Sequence, residues 1–394
     1  MRQKIIVWLR LHPMVLKIFY TLLRTFFNIL SIVIPKKKKI IFSSFGGRNF
    51  DDSPYALFKE MRCNKAFKDY EFLWAFVDTN KYNVTNIKKI KIDSIRFFYE
   101  LLSSKIWISN TSIDRGIGLN KKGRIAVETW HGTPLKKIGG EENRGGVLNN
   151  NLLRKKDTST IRCAQSDYDL NIFARVFNAD KSCFLLSDLP RNDDLVCFEE
   201  SDVERIKQKL GIKGKKQIIL YMPTYREYWI DDNSDIYMKQ LVDLNKWKNK
   251  LSKKYFLLIR AHYAVSKNLS FDDDAFCINV SDYPNVNDLY KIADILISDY
   301  SSAFIDYSIL RRPMFCFAPD YDEYILQRGL YLDLQKVLPC PVDTVEETLL
   351  NRLLNFDYED YSIKAEIFRN RFVPYAGHAT EKVIDEIIKK MNLI

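Results

Sequence analysis

Residues Asn287–Pro313, NDLYKIADILISDYSSAFIDYSILRRP, decide the fold. Leu289, Ile292 and Ala293 recur at helical spacing. The apolar run Ile295–Ile297 is too short for a helix and reads as a buried parallel strand. After Ser298-Asp299-Tyr300-Ser301-Ser302, a second helical pattern runs through Phe304, Ile305, Tyr307, Ile309 and Leu310. A strand–turn–helix unit with small hydroxylated residues at the turn gathers N–H groups that suit a phosphate. The plainer alternative is that Ser301 or Ser302 only caps the helix.

Around this unit the chain has 394 residues, enough for two domains, and its hydrophobic and aromatic content supports packed cores. The net charge of +11 is local: ten Lys and Arg and no acidic residue precede Asp51, leaving about +1 for the rest. A nucleic-acid-binding face spread over the fold is therefore excluded.

Residues 1–39 mix nine Lys and Arg with bulky apolar residues. Their longest uncharged stretch, Thr25–Pro35, falls short of the roughly 20 residues a spanning helix needs. No small-residue cleavage site follows, and Lys36–Lys39 lies behind the apolar run, unlike a signal peptide. The expectation is a basic amphipathic helix lying on an anionic membrane surface. The alternative is an ordinary helix packed on the domain. The seven cysteines (63, 163, 183, 197, 277, 316 and 340) form no CxxC pair and read as reduced, buried residues, so the catalytic body is expected in the cytoplasm.

From residue 40 strands alternate with helices. Ile40–Phe45, Glu71–Val77, Ile106–Ser109, Arg124–Glu128, Ile161–Gln165 and Ser182–Leu186 read as strands. After a polar stretch, Asp193–Lys216, the alternation restarts with Gln217–Tyr221, Tyr255–Ile259, Ile295–Ile297 and Met314–Phe317. The expected architecture is α/β: two doubly wound, Rossmann-like domains facing a cleft, at residues 40–200 and 201–394, behind the basic segment 1–39.

Four histidines occur. His12 lies in the basic leader and His378 near the C-terminus; His131 and His262 each follow a strand, one in each half. Carboxyl ends of strands are where open α/β sheets bind ligands, and imidazole titrates near neutral pH. Thr224 and Arg226 close another strand with a hydroxyl and a guanidinium, a pairing suited to a phosphate oxygen or, alternatively, a loop with a surface arginine. Asp231-Asp232 and Asp272–Asp274 sit in polar loops without His or Cys and read as solvated turns. There is no Walker motif, zinc pair or GxSxG elbow, so no metal or cofactor is expected.

Trp130-His131-Gly132-Thr133-Pro134-Leu135-Lys136, Leu189-Pro190-Arg191-Asn192-Asp193, Pro223-Thr224-Tyr225-Arg226, Arg260-Ala261-His262 and Asp294–Ser302 occur in that order. With Arg311-Arg312-Pro313, Tyr321–Tyr324 and Arg328-Gly329-Leu330 they resemble the CDP-glycerol glycerophosphotransferase family of wall teichoic acid synthesis, over roughly residues 40–385. Tyr225 stands where that family more often has Trp, and from its length the chain is expected to lack the extra N-terminal region of the larger polymerases, which leaves both a single-unit transferase and a polymerase open.

The resemblance implies a glycosyltransferase-B-like fold with CDP-glycerol held mainly by the second domain. An acceptor hydroxyl, on a membrane-lipid-linked polymer, attacks the phosphorus bearing the glycerol, and CMP leaves. It implies His131 as base, with His262 bonding or protonating the phosphate, the two roles being interchangeable at this point. Donor contacts are expected from Thr224, Arg226, Asp299, Ser301, Ser302 and Arg328, with further substrate contacts from Thr133, Lys136 and Arg191. The enzyme would sit peripherally on the cytoplasmic face of the membrane. Two alternatives keep the architecture: a CDP-ribitol ribitolphosphotransferase or a nucleotide-sugar glycosyltransferase. A third is an inactive membrane-bound assembly factor, which the presence of both His131 and His262 opposes.

Overall fold

A computed structural model describes residues 13–85, 87–143, 156–224, 226, 228, 241–261 and 275–393. Among these, the first half builds a seven-stranded parallel sheet in the order β3-β2-β1-β4-β5-β6-β7. Its strands are β1 Lys37–Ser43, β2 Glu71–Phe76, β3 Lys88–Lys91, β4 Ser104–Ser109, β5 Ile125–Glu128, β6 Ile161–Ala164 and β7 Phe184–Leu186. The second half builds a six-stranded parallel sheet, β10-β9-β8-β11-β12-β13. Here β8 is Gln217–Met222, β9 Tyr255–Ile259, β10 Cys277–Asn279, β11 Ile295–Ser298, β12 Met314–Phe317 and β13 Val342–Asp343.

Both faces of the first sheet are covered, which is why its strands read as unbroken apolar runs. Ile40, Phe42, Trp74 and Phe76 face Leu57, Phe58 and Met61 of helix Asp52–Cys63. Ile41, Leu73, Ala75 and Trp107 face the other way, toward Phe97 and Leu101. That alternation is the period of two expected of a strand. The second sheet buries Ile219, Leu257, Leu296 and Phe315 in a core that also takes Val203 and Ile206 of helix Glu200–Lys209.

The last helix, Ala379–Met391, returns to the first sheet, where Val383, Ile384 and Ile387 join its core. Asp193 caps this helix by accepting from the N–H groups of Ala379 and Thr380 at 2.9 and 2.7 Å.

Helix Pro13–Val33 packs Phe27, Leu23 and Leu30 against the first sheet's outer core. Its opposite side leaves Met14, Ile18, Phe19, Leu22, Phe26, Ile29 and Ile32 exposed. The lysine run behind it is only partly a free basic patch. β1 starts within it, Lys39 is buried in an ion pair with Glu100, and Lys38 meets Asp69 at 3.4 Å. No helix among the described residues is long and apolar enough to cross a membrane. Of the cysteines, 163, 183, 277, 316 and 340 are buried, whereas Cys63 and Cys197 are exposed, departing from the expectation that all seven pack inside.

Candidate active site

The two sheets bring their carboxyl edges together. In each, the chain order reverses between two adjacent central strands, β1/β4 in the first and β8/β11 in the second, and such crossings open a crevice for ligands.

His131 follows β5 on the first sheet. Its Nδ1 lies 2.9 Å from the carbonyl oxygen of Asn110. A carbonyl only accepts, so Nδ1 carries the hydrogen and Nε2 keeps its lone pair. Burial pushes the imidazole below its ordinary pKa, opposed by the Asn110 hydrogen bond and the nearby Asp52 carboxylate and reinforced by Arg191. A neutral ring with an open Nε2 is the state a general base needs. Trp130 stacks on the ring at 4.2 Å between centroids and is itself wedged against Phe177.

This loop is strained. Trp130, Phe45, Asp93 and Arg115 in the loops after strands of this sheet, and Asp52 at the start of the helix after β1, all have positive φ without being glycine. Bulky residues hold such backbone conformations only where the surroundings enforce them, and functional sites are where they gather.

Gly132 then lets the loop reach the second half. With φ at 145°, a β-carbon there would stand 2.6 Å from Ser302 Oγ. Ser302 begins helix Ala303–Ser308 without capping it, while Ser301 Oγ accepts from the Ala303 N–H at 3.1 Å. The helix is shorter than its sequence pattern predicts: Ile309 and Leu310 fall in a turn leading to Arg311, whose φ is positive. With six residues, it offers little macrodipole to an anion.

The expected substrate arginines have other partners. Arg191 is paired with Asp52 from the first half and Asp306 from the second, and it also donates to the His131 carbonyl. Arg226 is fully enclosed. It forms a fork on Asp320 at 2.8 and 2.7 Å, reaches Asp299 at 2.8 Å, and lies over the Tyr300 and Tyr324 rings. Asp299 in turn accepts from the N–H groups of Thr224 and Tyr300. Arg226 and Asp299 therefore brace the turns after β8 and β11 from within. Arg328 pairs with Glu142 at 3.2 Å.

Thr133 is likewise inside, its hydroxyl 2.9 Å from Gln165 Oε1 and 3.0 Å from Asp169. Lys136 lies in a strap from the His131 loop that pairs with the second half: Lys136 bridges Leu330, Lys137 N–H donates to the Gly329 carbonyl, and Tyr331 N–H donates to that of Leu135. Its ammonium stands 5.8 Å from the Tyr324 ring. Thr224, Ser301 and Ser302 remain half-buried at the junction. His262, Tyr225, His12 and both acidic clusters lie outside the described residues. His378 is exposed beside Glu381 at the start of the last helix.

Sequence reasoning missed Asp51. Burial and the adjacent Asp52 push its carboxyl up to about 7, against a hydrogen bond from Asn49 and the charges of Arg191 and Arg260. A carboxyl titrating near neutrality between two facing domains can exchange protons there. Its signal was the Asp51-Asp52 pair following a Gly-Gly-Arg turn. A second missed feature is a buried carboxyl network. Asp188 accepts from Gln165 and Leu189, and Asn192 joins it to Asp306. Burial pushes Asp169 and Asp188 each up to about 7.

The pattern of the CDP-glycerol:poly(glycerophosphate) glycerophosphotransferase family matches residues 25–389. The teichoic acid poly(glycerol phosphate) polymerase of Bacillus spizizenii is 30% identical over 92% of this chain and 95% of its own length. The polymerase of the same name from Staphylococcus epidermidis is 32% identical over 90% of this chain, which spans only 51% of that protein. Ribitol-phosphate polymerases are more distant, 26% identical for one from Staphylococcus aureus. Among solved structures, the wall teichoic acid polymerase TagF superposes with a TM-score of 0.81 at 29% identity, covering 98% of this chain and 97% of that one.

Proposed function

The chain belongs to the CDP-glycerol:poly(glycerophosphate) glycerophosphotransferase family, and on that premise we propose how it works in teichoic acid synthesis. A hydroxyl of a lipid-linked acceptor attacks the phosphorus that bears the glycerol of CDP-glycerol. Its proton passes to Nε2 of His131, the pyrophosphate P–O bond breaks, and CMP leaves with the electron pair. The new phosphodiester carries the glycerol phosphate unit.

The donor lies at the β8/β11 crossing, near Thr224, Ser301 and Ser302. Lys136 adds charge beside them, and Arg226, Asp299 and the Arg328–Glu142 pair fix the turns that hold them. Charge on the departing phosphate needs donors in fixed positions more than it needs covalent chemistry. His262 serves the phosphate from the second domain. Thr133 and Arg191 act through position, holding the His131 loop. The division into residues 40–200 and 201–394 gives each substrate its own domain, with the last helix fastening one to the other.

One observation carries this reading: Gly132, next to a histidine whose Nδ1 is tied to the Asn110 carbonyl, lies directly against the serine turn of the facing sheet. The exposed apolar side of helix Pro13–Val33 supports a monotopic seat on the cytoplasmic face of the membrane, where a lipid-linked acceptor would be met.

Incubating the protein with radiolabelled CDP-glycerol, CDP-ribitol or a UDP-sugar and a lipid-linked acceptor tests the proposal. Acceptor-dependent release of CMP, with label in the product from CDP-glycerol alone, is expected. Preferred incorporation of ribitol phosphate or a sugar would replace this reading with one of the alternatives.

A further inference from the structure

The crossing of the first sheet, between β1 and β4, carries its own pocket. It is an open cavity of about 480 Å³ walled by Phe45, Gly46, Arg48, Thr111, Arg115 and Gly116. We infer that it is a subsite for a phosphodiester anion of the acceptor chain, one unit behind the hydroxyl that reacts. This rests on the transfer reaction proposed above and extends it to the acceptor.

Position is the first argument. The loop after β1 and the loop after β4 are tied by Asn110, whose side-chain oxygen accepts from the Phe45 N–H at 2.8 Å. The carbonyl of the same Asn110 holds His131 Nδ1. The Phe45 ring stands 5.5 Å from the imidazole. The pocket and the base thus share one wall, so a chain whose end reaches His131 passes its preceding unit over the pocket.

Charge is the second. Measured from a β-carbon built on Gly46, Arg115 Nη1 stands at 3.0 Å and Arg48 Nη1 at 3.9 Å, so both guanidiniums converge on the floor of the pocket. Asp93 holds Arg115 through Nε at 2.8 Å and Nη2 at 3.2 Å, leaving Nη1 turned toward Gly46. Arg48 bonds the Phe45 carbonyl at 3.0 Å and has no carboxylate partner among the described residues. Asp93 and the buried Asp114 lie behind this wall, while Nη1 of Arg115 and of Arg48 face the pocket, and planar N–H forks match the oxygens of a phosphodiester.

Rigidity is the third. Asp114 is buried and accepts from Ser112 Oγ and from the N–H groups of Gly116, Gly118 and Leu119, so the loop that presents Arg115 is locked. Arg115 itself has φ of 58°, a conformation the loop imposes. Cations on a preorganised backbone discriminate charge without first paying for order.

The test is equilibrium binding by the full chain of two soluble probes, a short glycerol-phosphate oligomer and a neutral oligoglycerol ether of equal length. The parent should bind the phosphate oligomer about tenfold or more tightly, the scale of charge-assisted hydrogen bonds. Arg48→Gln with Arg115→Gln should erase that preference and leave the neutral probe unchanged, while the two Lys variants should keep part of it. A parent without the preference, a Gln variant that retains it, or equal losses for both probes would overturn the subsite. Turnover with CDP-glycerol is read separately: a parent that prefers the phosphate oligomer but transfers nothing contradicts the reaction and leaves the subsite standing.

Discussion

Gly132 lies against Ser302 so closely that a single added carbon would meet the serine hydroxyl at 2.6 Å. The contact joins the His131 loop of one sheet to the serine turn of the other. Gly132→Ala should therefore lower kcat by about 100-fold, as a misplacement of about 1 Å can. Ser302→Gly in the same chain should recover part of the loss by making room, although the strained φ persists. Steady-state kinetics of both variants checks this; unchanged kcat in Gly132→Ala would mean that the loop's approach does not matter to turnover.

Two arginines that sequence motifs offer to the substrate are occupied by carboxylates. Arg191 ties Asp52 to Asp306 across the halves, and Arg226 is enclosed by Asp299 and Asp320. Removing one partner of a buried pair leaves the other charge stranded, at about 3–5 kcal/mol. Arg191→Ala and Arg226→Ala should each lose stability on that scale in urea unfolding, with donor affinity falling as a consequence. An Arg226→Ala protein of full stability that no longer binds CDP-glycerol would put this guanidinium on the donor instead.

The buried acids set a pH dependence. Asp169 and Asp188 are held protonated up to about 7, from an ordinary value of 3.8. Unfolded, they release protons from about pH 4 upward, so the unfolded chain binds fewer protons than the folded one between the two values. Their contribution to stability is full below about pH 4 and fades as pH rises toward 7. Asp188→Asn should flatten that part of the stability–pH profile, measured by urea midpoints from pH 4.5 to 7.5. A profile as steep as the parent's would mean that Asp188 ionises normally.

The exposed side of helix Pro13–Val33 predicts membrane attachment without crossing. Sedimentation with anionic liposomes should be abolished by Ile18→Ser, Leu22→Ser and Phe26→Ser together, since each exposed side chain is free of the core. High salt or alkaline carbonate should strip the parent protein from the vesicles. Retention through carbonate would indicate insertion.

Much of the fold was legible because burial on both sheet faces writes itself as apolar runs. β2, β4, β9 and β12 lie within two residues of their expected positions. What escaped were edges: β3 reads Lys-Lys-Ile-Lys, β10 has three residues and β13 two, too polar or too short to signal. The return of Ala379–Met391 to the first sheet was also hidden, because periodicity reveals an apolar stripe but not its partner. At the site, the motifs marked which loops converge. They could not show that Arg191, Arg226 and Arg328 meet acids 73 to 186 residues away, since charge partners distant in sequence have no local signature. Asp51 needed its burial to stand out from ordinary acidic residues.

The central claim is that His131 takes the acceptor's proton in glycerol phosphate transfer from CDP-glycerol. The pH dependence of kcat/KM, measured with a soluble acceptor for the parent and His131→Ala, tests it most directly. Burial lowers the imidazole below its ordinary 6.5, so the parent should gain activity with pH through an apparent pKa under that value and then level off. His131→Ala should keep the fold and CDP-glycerol affinity, lose about 100-fold or more in turnover, and lose this acid limb. A His131→Ala protein within a few-fold of the parent, with the same acid limb, would contradict the claim.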